Sequence, residues 1–150
     1  MLTVTLFTDE LLHDIHTRSH NECLAIADAQ ERYRVEAGTE KTDYLVREMM
    51  TVQSSLKRMM RRWLVDSSLS AGNTLDMPES FDFVLNMTGR RADNKVQPLT
   101  DACHNYMVTY TMARYYASVG MKDLSNTYSL LTVDHAKEVE ELINAKMPPL

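Results

Sequence analysis

His13, His16, His20 and Cys23 are the residues of this chain whose types and spacing could do chemistry. They follow one another at intervals of 3, 4 and 3. On a helix that spacing puts them near one face. Imidazole nitrogens and a thiolate are ligands that zinc or another transition metal accepts. A metal site in a helical bundle, however, draws its ligands from facing helices, often as Glu-x-x-His pairs. Asp101-x-x-His104, far along the chain, is a relative of that pattern. His16 and Cys23 also continue an apolar stripe with Leu12, Ile15, Ser19 and Ile26. The expectation is therefore that the histidines are structural or surface residues and that no cofactor is required. His135 and Glu138 lie among Lys137, Glu140 and Glu141, which reads as a solvated flank of an amphipathic helix.

Other chemistry finds little material. The chain has no G-x-S-x-G, no H-E-x-x-H and no EF-hand spacing, and its 4 glycines form no phosphate-cradling loop. Tyr106, Tyr110, Tyr115 and Tyr116 could stack bases. At helical spacing in a mostly apolar segment they read instead as core and interface anchors, each phenol needing a partner for its hydroxyl. The net charge of −5 argues against a dedicated nucleic-acid binder, which needs a positive footprint to neutralise phosphates. Two basic clusters remain, one of Lys57, Arg58, Arg61 and Arg62 and one of Arg90, Arg91 and Lys95. The first lies in the last turns of its helix, where cations complement the dipole, and reads as a solvated face. No catalysis is expected.

The elements that must position these residues are helices. Leu45, Met49, Val52, Leu56, Met59 and Trp63 recur at spacings of 4, 3, 4, 3 and 4. That is a helical seam, and it must be buried against other helices. Four main helices are expected at about 9–36, 42–66, 98–119 and 123–146, with a short one in ESFDFVLNM. Gly38 is placed to end the first and Gly120 the third, with Pro98 opening the third. Residues 1–7, MLTVTLF, suit a short strand or an extended arm. The tail MPPL is extended because Pro-Pro cannot continue a helix. The fold class is all-α: one helical domain over 1–150, with irregular loops at 67–78 and 88–98.

Composition sets the bounds. The 150 residues suffice for one self-contained core. The longest apolar run is too short for a membrane span. The N-terminus shows no basic region and no small-residue cleavage site, so no signal peptide is expected. Cys23 and Cys103 read as buried free thiols of a reducing compartment. The 11 methionines exceed what the seams use and suit a subunit packing on several neighbours.

One resemblance bears on function. LTDACHNYMVTYTMARYYASVGMKDLSNTYSLL followed by EVEELINAKMPPL, about a third of the chain, resembles the small helical head–tail connector (adaptor) proteins of tailed phages. The shared pattern is a tyrosine- and alanine-rich central helix, a short turn, an acidic amphipathic helix and an extended tail. The resemblance implies a non-enzymatic virion subunit, assembled in the host cytoplasm. It implies a homo-oligomeric ring between portal and tail-type structural proteins, with DNA only as passing cargo. An acidic chain suits such a conduit, because a basic lumen would retain DNA. On this reading Met1, Leu2 and Phe7 of the arm, Arg90, Arg91 and Lys95 of the loop, and Met147, Pro148, Pro149 and Leu150 of the tail are interface residues. Two alternatives stay open: a helical assembly or regulatory module without a DNA channel, and a metal-dependent helical-bundle enzyme using the histidines.

Overall fold

A computed structural model of the chain describes residues 1–65, 77–87 and 90–144, with 90–95 as backbone alone. It is mainly helical, as the seam requires, with one small sheet. In chain order come β1 (Leu2–Phe7), α1 (Thr8–Cys23), α2 (Ala29–Val35), a 3-10 turn (Thr39–Lys41), α3 (Thr42–Met59), β2 (Ser80–Leu85), α4 (Arg90–Ser118) and α5 (Lys122–Asn144).

Two boundaries differ from expectation for reasons visible in the chain. The helix expected over 9–36 is broken after Cys23. Asp28 restarts it as α2, its side chain accepting from the Gln30 N–H at 3.0 Å. Asp28-x-x-Glu31 has the spacing of a capping box, a start signal inside an otherwise helical stretch. Arg32 then donates to the Ile26 carbonyl at 3.1 and 2.7 Å and seals the turn. The segment expected as a short helix at 79–87 is instead strand β2. Phe81, Phe83 and Leu85 are buried and Asp82 is exposed, the period of two that a half-buried strand shows.

β2 pairs antiparallel with β1, placing Leu2 opposite Leu85, Val4 opposite Phe83 and Leu6 opposite Phe81. Residues 1–7 are thus a strand of the core, not a free arm. Thr8 does not cap α1. Its hydroxyl donates to the Pro78 carbonyl at 2.6 Å and its N–H to that of Glu79 at 3.1 Å, tying the strand–helix corner to the start of β2.

The first four members of the α3 seam, Leu45, Met49, Val52 and Leu56, are buried as read, whereas Met59 is half-buried. The helix ends at Met59 rather than 66, and Met60 takes the last core position. Beyond it the chain runs along the other edge of β2, where the Val65 N–H donates to the Val84 carbonyl at 3.0 Å. Trp63 consequently lies in turns, only half-buried.

α4 is the central helix and packs against α5, α3, α1 and β1. It begins at Arg90, so Pro98 lies inside it; one missing N–H in an exposed position does not stop the helix. Gly120 ends it at φ +83°. The Met121 N–H reaches the Tyr116 carbonyl (2.9 Å) and the Gly120 N–H that of Ala117 (3.4 Å), the double closure of a Schellman motif. This corner folds α5 back along α4, its principal neighbour. Among the described residues no helix is long and apolar enough to cross a membrane.

Candidate functional site

The structure separates the four residues that spacing placed together. His16 Nδ1–H donates to the Ala37 carbonyl at 2.7 Å, and His20 Nδ1 pairs with Glu36 Oε1 at 2.9 Å. Both therefore staple α1 to the segment after α2. Cys23 is wholly buried beside them, and burial pushes its thiol pKa up. Cys103 is buried too, its thiol pushed up to about 12 by desolvation. Neither thiol is in a disulfide. His13 alone points away, into a cleft between α1 and α4.

That cleft has a volume of about 500 Å³. α1 contributes Glu10, His13 and Asp14, and α4 contributes Asp101 and His104. His104 Nε2 lies 2.6 Å from Asp14 Oδ2, and Gln97 Nε2 donates to Asp101 at 2.8 Å. Glu10-x-x-His13 faces Asp101-x-x-His104 across it; the first is a Glu-x-x-His pair readable in the sequence, which the reading of the histidine spacing passed over, and only the meeting of the two motifs is hidden there. Among the described residues, no three such side chains converge on one point as metal ligands. The carboxylate-rich lining suits a cationic group, and the His104–Asp14 pair holds the imidazole in one orientation.

A second polar cluster is internal. The Tyr116 hydroxyl donates to Glu22 Oε2 (3.0 Å) and pairs with Ser19 Oγ (2.8 Å), whose oxygen accepts from the Ala37 N–H (2.8 Å). Tyr128 of α5 donates to the other oxygen of Glu22. Lys41 Nζ, with three N–H donors, lies within hydrogen-bond distance of four acceptors, the carbonyls of Tyr33, Arg34 and Glu36 and the Tyr115 hydroxyl, which itself donates to the Glu36 carbonyl at 2.9 Å. Desolvation raises the Glu22 carboxyl, lowers the Lys41 ammonium and raises the phenols of Tyr115 and Tyr116. Tyr106 is pushed up to about 12 by the same cause. Tyr115, Tyr116 and Tyr128 are core anchors with partnered hydroxyls, and Tyr106 is buried in the same core, so the set is not a stacking platform.

The expected interface residues divide. Leu2 is buried inside its own chain and is withdrawn from that set, whereas Met1 and Phe7 are 73% and 50% exposed. Arg90, Arg91 and Lys95 belong to the first turns of α4 rather than to a loop, and their side chains lie outside the described residues. Met147, Pro148, Pro149 and Leu150 lie outside the described residues altogether. Apolar exposure gathers elsewhere, on α5. Leu130 is 70% and Val133 52% exposed, on the side turned away from the buried Tyr128, Thr132, Val139 and Ile143.

No protein-family model, no curated protein and no solved structure matches this chain.

Proposed function

We propose that this chain is a non-enzymatic structural subunit of a phage virion, a head–tail connector that forms a ring between portal and tail around the DNA channel. The observation that supports this reading is the α4–α5 hairpin. A buried, tyrosine-rich helix turns at Gly120 into an amphipathic helix that packs mainly on α4 and still keeps Leu130 and Val133 in water. Exposed aliphatic side chains on such a one-sided helix suit a protein that completes its surface by assembly. The tail from 147 to 150 and the basic residues at 90–95 then serve as contacts to neighbouring subunits, to portal or tail-type proteins, or to the passing DNA. Native mass spectrometry and negative-stain imaging of the purified protein, alone and with a portal-type partner, test the reading. Rings with a central channel are the expected result. A chain that stays monomeric at every concentration and binds no such partner overturns it.

The acidic cleft supports a second reading, a helical module without a DNA channel that binds a basic segment of another protein. Under that reading the purified chain is a compact monomer. It then binds a lysine- and arginine-rich peptide, and the double change Asp14→Asn, Asp101→Asn weakens that binding.

A further inference from the structure

The outer faces of α3 and α5 match each other. α3 turns Arg47, Thr51, Ser54 and Arg58 outward, all four exposed. α5 turns Asp123, Leu130 and Asp134 outward. Arg47 and Arg58 are eleven positions apart, 58 − 47, and so are Asp123 and Asp134, 134 − 123. At about 1.5 Å per residue each pair spans roughly 16 Å, three turns on one face. Leu130 stands between the two aspartates as Thr51 and Ser54 stand between the two arginines. A projecting aliphatic side chain on one face thus matches a shallow floor of small residues on the other, and the charge pairs of opposite sign on the two faces have the same eleven-residue spacing.

Neither face is covered by another element of the chain, although Arg58 donates to Ser55 Oγ of its own helix at 3.3 Å. Among the described residues, none of Arg47, Arg58, Asp123 and Asp134 forms an ion pair. Both helices bury their inner faces, α5 principally against α4. Beyond the contact both helices carry mixed charge: Asp43 precedes Arg47 and Arg61 and Arg62 follow α3, while Lys122 and Lys137 flank the aspartates of α5 and Glu140 and Glu141 lie near its end.

We propose that α5 of one copy docks on α3 of a second copy of this chain, Leu130 seated on Thr51 and Ser54 and Asp123 and Asp134 paired with Arg47 and Arg58. Used reciprocally about a two-fold axis, the contact closes a dimer; used head to tail it is heterologous, and each copy keeps one of each face for its next neighbour. Repetition closes a ring when the rotation permits. The inference deepens the connector reading and rests on it for the ring, though not for the contact itself.

Charge exchange tests it. One variant carries Arg47→Glu and Arg58→Glu, the other Asp123→Lys and Asp134→Lys. All four sites are exposed, so helical circular dichroism should be unchanged. Alone, each variant sets like charge against like, and self-association should weaken roughly 100-fold relative to the unaltered chain. Mixed in equal amounts, the two have complementary faces at every contact and should assemble in alternation. A single chain with all four changes should self-associate again. Leu130→Asp should disperse the assembly, and higher salt should weaken it. Light scattering and native mass at graded concentration read each outcome. Assemblies indifferent to the exchanges overturn the contact and leave the connector reading standing. Exchange-sensitive two-fold dimers with no ring keep the contact and overturn the connector reading. An unaltered chain that remains monomeric throughout overturns the contact.

Discussion

The sheet region and the tyrosine region hold this molecule together by different means. At the sheet, Leu2, Val4 and Leu6 meet Leu85, Phe83 and Phe81 at three of the six paired positions, and the side chains that hold it are apolar. At the C-terminal end of α4, Tyr115 and Tyr116 reach residues 74 to 97 positions away in sequence through Lys41, Glu36, Ser19 and Glu22. There the rings pack against one another, Tyr116 stacked on Tyr128 at 5.9 Å, while every hydroxyl answers a polar group. The first arrangement tolerates any pH and punishes lost volume. The second tolerates modest loss of volume but punishes an unanswered polar atom, and its stability follows the protonation of Glu22.

The largest expected effect breaks the apolar side of this contrast. Phe83 is fully buried between strand and helices. Phe83→Ala should cost about 3–5 kcal/mol, the transfer loss plus the cavity, with the same cost at pH 5 and pH 8. Urea unfolding followed by circular dichroism measures it. A cost below about 1 kcal/mol would remove β2 from the core. Next comes Tyr116→Phe, which deletes one oxygen and leaves Ser19 and Glu22 short of a partner. The expected cost is about 1–3 kcal/mol with no change in helical content. A neutral result would mean that the polar seam contributes nothing to stability.

These two regions also differ in how far the chain's text reveals them. The α3 seam was legible because its partners are its own neighbours at 3 and 4, and α4 because it is apolar on most sides. β2 was missed although its signal is local: Phe81, Phe83 and Leu85 alternate with Asp82, but ESFDFVLNM is short and follows Pro78, which suits a helix start equally well. The break at 24–28 was legible in Asp28-x-x-Glu31 and was overridden by the apolar stripe around it. The tyrosine seam was legible only as a demand, since each phenol needs a partner and nothing in the spacing says which. His16 and His20 share that fate. Their partners, Ala37 and Glu36, sit 21 and 16 positions away and are fixed by how α2 returns along α1. The cleft facing Glu10 and His13 to Asp101 and His104 depends on α1 packing against α4, which no single-helix pattern contains.

The pH dependence sharpens the contrast further. Burial raises the Glu22 carboxyl above its ordinary value of 4.5, the hydrogen bond from Tyr116 and nearby Arg18 only partly opposing it. A raised carboxyl binds its proton more tightly in the folded state than in the unfolded one. Its contribution to stability is therefore fully present below 4.5 and is lost as pH rises through the higher folded value. Glu22→Gln keeps an acceptor for the tyrosines and removes the titration. Its stability relative to the unaltered chain should improve as pH rises from below 4.5 toward neutrality. Parallel pH profiles for the two proteins would show that Glu22 does not carry the dependence.

The smallest effect compares two buried threonines on α4 and differs in sign between them. Thr109 and Thr111 are both fully buried, two residues apart on nearly opposite sides of the helix. Thr109 Oγ1 donates to the Asn105 carbonyl at 2.8 Å and accepts from Thr132 Oγ1 of α5 at 3.1 Å. Thr111 Oγ1 has no hydrogen-bond partner among the described residues. Valine replaces either side chain with a methyl where the hydroxyl was and leaves the branched shape that fixes χ1. At 109 the change removes a satisfied bond, and Thr132 retains the Tyr128 carbonyl at 2.7 Å as its fallback, so the cost should be about 0.5–1.5 kcal/mol. At 111 it removes a desolvated oxygen that nothing answers, and the protein should gain about 1 kcal/mol. Thermal or urea midpoints of the two single variants decide the matter, because the same substitution is made in both. If Thr111→Val destabilises as much as Thr109→Val, the hydroxyl at 111 has a partner after all, and that side of α4 is as polar as the side it shares with α5.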